Sequence, residues 1–268
     1  MHKTLLFPAI ILLISIFMVV PAYAAPSPVA LPRIPLRAGS SESLNWAGYA
    51  DVVHSYSVTL ANASFYVPNV QASKQSTYVA IWVGIDGYND STVEQTGILA
   101  ESSHGSVSYS AWYEFYPSSP VYAPSKDKVK PGDLIVAWVQ YNPASNTFTT
   151  VLKDITEGWT FTSPATTVAG ADRSSAEWIV ERPAIEGSLT TLANFGVAEF
   201  GMSYTYIDGT CTATINGQTL SISSFNYYSI TMMTNSGQTL ASPSALTGGG
   251  TSFTVTYASS STVSHHTR

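Results

Sequence analysis

The stretch YVAIWVGIDGYNDSTVEQTG, Tyr78 to Gly97, decides the fold. From Tyr78 to Asp86 its character alternates with a period of two. Val79, Ile81, Val83 and Ile85 share one face; Ala80, Trp82, Gly84 and Asp86 share the other. A helix would repeat near 3.6, so this is a strand with one face for a core. Gly87 to Asp90 is a turn, and the next β-like run carries a polar amide, Gln95.

The same pattern extends outward. In Ser106 to Pro117 the period-two reading groups Trp112, Glu114 and Tyr116 opposite Tyr113 and Phe115. In SSAEWIVE, Ser174 to Glu181, it groups Glu177, Ile179 and Glu181 opposite Ala176, Trp178 and Val180. Several strands therefore pair an apolar face with one that mixes Trp, Tyr and carboxyls, as a peptide- or sugar-binding cleft does. Nothing from residue 43 to 259 sustains a helical period, and turn signals recur throughout, including Lys130-Pro131-Gly132-Asp133, Asn142-Pro143 and Asp208-Gly209. Asn216-Gly217, between CTATI and QTLSIS, predicts a type I′ hairpin. The fold class is all-β, an antiparallel sandwich or barrel.

At the N-terminus His2 and Lys3 precede an apolar run, Thr4 to Val20, and Ala22-Tyr23-Ala24 has the form of a cleavage site. Residues 1–24 are read as a secretory signal, which places the mature protein outside the cell and off the membrane. Residues 25–42, with Pro26, Pro28, Pro32 and Pro35, read as a linker or short pro-segment without means of packing a core. One domain, 43–259, follows, then a polar tail, 260–268. A monomer is expected.

Asp, Glu, Lys and Arg make up 10% of the chain, against roughly 25% in ordinary soluble proteins. The net charge is −6 and there is no basic cluster, which argues against a nucleic-acid partner. A surface of uncharged polar groups changes little when carboxyls protonate, which suits an acidic medium. Cys211 is the single cysteine, so no intrachain disulfide forms, and it reads as a small core residue. Asn62-Ala63-Ser64 and Asn89-Asp90-Ser91 are formal glycosylation sequons.

Most catalytic inventories fail. Of five histidines only His54 and His104 fall within the domain, and neither sits in a triad or a metal motif. No phosphate loop or Cys/His spacing is present, so no metal or cofactor is expected. Carboxyls survive the elimination. Glu177 and Glu181 could be a glycosidase pair, but four residues of regular strand separate them by about 13 Å. Glycosidases need about 5 to 9.5 Å.

Five segments together resemble the glutamic peptidase (eqolisin) family: LNWAGY (44–49), WVGIDGYNDSTVEQTG (82–97), AWYEFYP (111–117), SSAEWIVERP (174–183) and, more weakly, FGVAEF (195–200). The resemblance implies a concanavalin A-like sandwich, or jelly roll, that cleaves polypeptide substrates as an acid endopeptidase. Carried over by position, it makes Gln95 the oxyanion-stabilising amide and Glu177 the general base and acid. It puts Trp46, Trp82, Asp86 and Glu114 along the substrate cleft. The chain departs from fungal members in lacking disulfides and a long basic pro-segment. A carbohydrate- or protein-binding sandwich, or a glycoside hydrolase on the same fold, is the alternative that an aromatic-lined face equally allows.

Overall fold

The computed structural model describes residues 38–202 and 210–258, all within one compact unit that begins at Pro35. The stretch read as a signal sequence, most of the Pro-rich stretch, the Asp208-Gly209 turn expected there and the tail lie outside the described residues. Among those described, no helix is long and apolar enough to cross a membrane.

The chain runs through β1 (Ala38–Ser43), β2 (Trp46–Val52), β3 (Val58–Tyr66), β4 (Thr77–Ile85), β5 (Val93–Ser103), β6 (Ser106–Tyr116), β7 (Val121–Tyr122), β8 (Leu134–Asn142), β9 (Thr147–Asp154) and β10 (Trp159–Thr162). It continues through β11 (Ser175–Glu181), β12 (Ala184–Ile185), β13 (Ser188–Leu189), β14 (Val197–Phe200), β15 (Thr212–Ile215), β16 (Gln218–Ser221), β17 (Tyr227–Met233), β18 (Thr239–Pro243) and β19 (Phe253–Tyr257). One layer has the order β1–β17–β2–β11–β4–β5–β6–β7. The other runs β16–β15–β3–β8–β9–β10, and β14, β19 and β18 lead from β3 back to β17. Among the described strands every ladder but that of β1 with β17 is antiparallel, so the all-β sandwich expectation holds.

Alternation decides what lies between the layers. Val79, Ile81, Val83 and Ile85 of β4 are buried there with Ala176, Trp178 and Val180 of β11. From the opposite layer come Ala61, Ala63 and Phe65 of β3 and Ile135, Ala137 and Val139 of β8. Each fully buried large aliphatic or aromatic side chain contributes about 1.5–3 kcal/mol. The Trp178 indole N–H donates to the Asn62 carbonyl at 2.8 Å and ties the layers together. Cys211 is free and buried in the same core, as expected. Asn216 and Gly217 take φ of 52° and 75°, the left-handed pair a type I′ turn needs. The Asn62 amide donates to the Thr210 carbonyl from within β3, whereas Asn89 is exposed on a loop.

The start of the sandwich differs from the sequence reading. Ala38 to Glu42, assigned there to the linker, form most of β1, paired in parallel with β17 from Ala38↔Tyr227 to Ser43↔Met232. An edge strand needs only backbone partners on one side, so a run of small polar residues suffices. Gly39 is specific to the place, because a Cβ there would lie 2.4 Å from the Tyr228 ring.

Candidate active site

A single row of residues crosses the outer face of the first layer. Tyr228 on β17 pairs with Ala50 on β2, Ala50 with Glu177 on β11, and Glu177 with Gly84 on β4. Gly84 pairs with Gln95 on β5, and Gln95 with Glu114 on β6. Glu177 and Gln95 are thus two strand spacings apart, about 10 Å between Cα atoms. The residue between them has no side chain. A Cβ on Gly84 would sit 2.8 Å from Trp82 Cζ3 and 3.3 Å from Gln95 Cβ, so only glycine lets the Trp82 ring and the Gln95 side chain pack this closely at the middle of the row.

Each member of the pair has a distinct environment. Gln95 is 6% exposed; its Nε2 donates to Glu114 Oε2 at 2.7 Å, which fixes the amide with its second N–H free to donate. The Gln95 carbonyl oxygen has no partner among the described residues. Glu177 is fully buried, and both its carboxyl oxygens are likewise unpartnered. Burial pushes its pKa well above the usual carboxyl value, and Asp86, Asp90 and Glu94 push the same way. Ser175 pulls in the other direction, although its hydroxyl makes no hydrogen bond to either oxygen. Burial and the charge of Glu181 raise Glu114 to about 7, against the pull of the Gln95 hydrogen bond.

The loop from β4 to β5 roofs Glu177. Asp86 and Gly87 take left-handed φ of 71° and 105° and turn the chain back over the sheet. Asp90 Oδ1 then accepts the N–H groups of Gly87 and Thr92 at 3.0 and 3.2 Å. The Tyr88 ring stacks on Tyr228 with centroids 5.4 Å apart, and Tyr88 packs against the outer-face apolar cluster that includes Ala50 and Ile179.

A cleft of about 620 Å³ opens beside the row, and Trp46, Gln95, Trp112, Glu114 and Tyr122 are among its walls. Two residues that the sequence places along it are elsewhere. Trp82 is fully buried below the cleft; its indole N–H donates to Glu181 Oε2 at 2.8 Å, and its ring meets Trp46 edge-on at 5.1 Å. Asp86 is also fully buried, accepting the backbone N–H groups of Asp172, Arg173 and Ser174 at 2.7–3.0 Å. Both support the site instead of lining it. Burial outweighs the N–H groups of Arg173 and Ser174 and lifts Asp86 to about 7. A larger depression, about 810 Å³ beside Asn69, Tyr109 and Lys128, contains no comparable pair.

Three acids escaped the assignment of roles. Glu181 accepts Trp82 and, at 3.2 Å, the Asn45 amide, so it braces the cleft wall. Its strand pairs with β2 and β4 without a register shift, so Glu177 and Glu181 keep the full strand separation that a glycosidase pair cannot use. Asp90 holds the roof. Glu94, next to Gln95, points inward, is fully buried, and is raised to about 9 by burial and by Asp86 and Asp90. An acid at a core-facing position of a strand is the signal that could have flagged it. His54 and His104 are exposed, away from the row.

Comparison with known proteins gives the family and supports the fold. A family model described as the peptidase A4 family matches residues 44–257. Aspergillopepsin-2 of Aspergillus niger is 32% identical over 180 residues, which cover 59% of this chain and 62% of that protein. Among solved structures, scytalido-glutamic peptidase with a peptide-based transition state analog has a TM-score of 0.65 at 22% identity, covering 81% of this chain and 99% of its own. Aspergilloglutamic peptidase from Aspergillus niger has a TM-score of 0.58 at 29% identity, covering 68% and 99%.

Proposed function

The chain belongs to the peptidase A4 family, and from that premise we propose that it is a secreted endopeptidase that works on the acid side of neutrality with Glu177 and Gln95 as its catalytic pair. The observation that carries this reading is the Glu177–Gly84–Gln95 row, a buried carboxyl and a fixed amide facing each other across a glycine. Ionised Glu177 takes a proton from a water as its oxygen attacks the scissile carbonyl carbon. The free Gln95 N–H donates to the oxyanion that forms. The carbon–nitrogen bond then breaks, Glu177 gives its proton to the leaving amine, and the carboxylate is restored. Glu114 positions the amide, Glu181 and Trp82 position the cleft wall, and polypeptides are the substrates. The apolar leader of residues 1–24 supports export.

Burial shapes the pH profile. Glu177 must ionise to act, and its raised pKa moves the acid limb above the ordinary carboxyl range. As pH passes about 7, Glu114 ionises and sets a negative charge beside the developing oxyanion. The expected profile is a bell on the acid side, falling through neutrality. The test is cleavage of a denatured protein from pH 2 to 9 by the whole chain, alongside Gln95→Ala. Removing one oxyanion donor is expected to cost about 10²- to 10³-fold in kcat. An optimum above pH 8, abolition by a chelator, or an undiminished Gln95→Ala would overturn the mechanism.

Gly84→Ala offers a geometric check. Its methyl would stand 3.1 Å from the Glu94 carbonyl as well as against Trp82 and Gln95, so the amide must shift. A displacement of this kind is expected to lower kcat about tenfold or more, read against an unchanged circular dichroism spectrum. Full turnover would mean that the reaction does not depend on the exact placement of the Gln95 amide.

A further inference from the structure

The outer face of β5 continues past Gln95 through Gly97 and Leu99 to Glu101, and the cleft follows it. The far end has a chemistry of its own. Glu101 accepts the Tyr78 hydroxyl at 3.3 Å. Tyr122, half exposed on β7, lines the same cleft; burial raises its phenol first, and the Glu114 and then the Glu101 charges raise it further. A carboxylate beside a tyrosine, in a cleft with further aromatic walls, suits an ammonium or guanidinium group, which gains a charge-assisted hydrogen bond and a ring face together.

The charge balance of the cleft favours such a guest. Asp90, Glu101, Glu114 and Glu181 line it, and no lysine or arginine does. Among the described residues the one ion pair, Lys130–Glu157, lies elsewhere. A second feature says that the cleft takes an extended chain. Trp112, 6% exposed, lines it between the two ends, and with Leu99 it gives the middle of the cleft an apolar floor along which an extended chain can lie.

We propose that Glu101, Tyr78 and Tyr122 form a distal subsite for a lysine or arginine side chain of the bound polypeptide. The site rests on the peptidase reading and adds a substrate preference to it. Gln95 and Glu101 are six positions apart on one strand, about 20 Å, the span of roughly six extended residues. The preferred basic residue therefore stands several positions from the scissile bond.

The test scans lysine against glutamine through every position of a quenched fluorescent peptide, using the full chain at pH 5. One distal position is expected to raise kcat/KM about fivefold with lysine. Glu101→Gln should bring that ratio close to one, and Glu101→Lys should turn it in favour of glutamate at the same position. A flat scan, or a ratio that both variants leave unchanged, overturns the subsite. Binding of the same peptides to folded Glu177→Gln protein, read by tryptophan fluorescence, carries the same ratio. The subsite is thus decided even if no peptide is cleaved, an outcome that would strike the peptidase reading instead.

Discussion

Glu177→Gln is expected to lose about 10⁴-fold in kcat while keeping the native sandwich. General acid–base catalysis by one group contributes about 10²- to 10⁴-fold. In the proposed mechanism the same carboxyl activates the water and protonates the amine, so the upper end applies. The substitution is nearly isosteric, and the site is already built for a neutral side chain, since burial disfavours the charged form. The variant should therefore unfold no more easily than the parent, and at neutral pH it should resist unfolding better. Turnover of a peptide at the acid optimum, with a thermal melt of the same samples, decides it. A variant keeping a tenth of the parental rate would remove Glu177 from the reaction.

The second large effect is on stability. Glu94 is raised to about 9, Asp86 and Glu114 to about 7, and Asp154 to about 6, in each case chiefly by burial. Asp51, buried and unpartnered in the core, is raised well above its usual value. In every case the folded state holds its proton more tightly than the unfolded chain, whose carboxyls titrate near 4. The unfolded state then binds fewer protons, so stability falls as pH rises. It is fully present below about pH 4 and is lost progressively, through about 6 for Asp154, 7 for Asp86 and Glu114, and 9 for Glu94. For Glu94 alone the loss by pH 7 is on the order of 3 kcal/mol, a large part of a domain's usual 5–15 kcal/mol. Melting temperature should drop steeply between pH 4 and 8, and Glu94→Gln should flatten part of that slope. A melting temperature that is level or rising over this range would contradict the assignment.

What could be read from the sequence was whatever depends on neighbours along the chain. Val79, Ile81, Val83 and Ile85 went to the core, Trp112 and Glu114 to the outer face, and Asn216-Gly217 to a hairpin, because period-two alternation and turn chemistry are local. The register that sets Glu177 beside Gly84 is not local; it joins strands more than 90 positions apart, and only the family resemblance brought Gln95 and Glu177 together beforehand. Asp86 was misplaced for the same reason, since its partners are the backbone N–H groups of residues 172–174. β1 escaped notice because an edge strand needs no apolar pattern. Glu94 is illegible for a different reason: an acid is expected on a solvated face, and only burial by the opposite layer makes this one inward.

The position of β11 between β2 and β4 has a consequence for the newly made chain. The meander β4–β5–β6 can form early from adjacent segments and carries Gln95 and Glu114, but it has no base. Glu177 arrives only when a strand made about 80 residues later slots between two already present, a long-range closure of the slow kind. On the proposed mechanism, proteolytic power and completion of the central layer are the same event. A half-made or half-folded copy, the one most vulnerable to cutting, has no means of cutting its siblings.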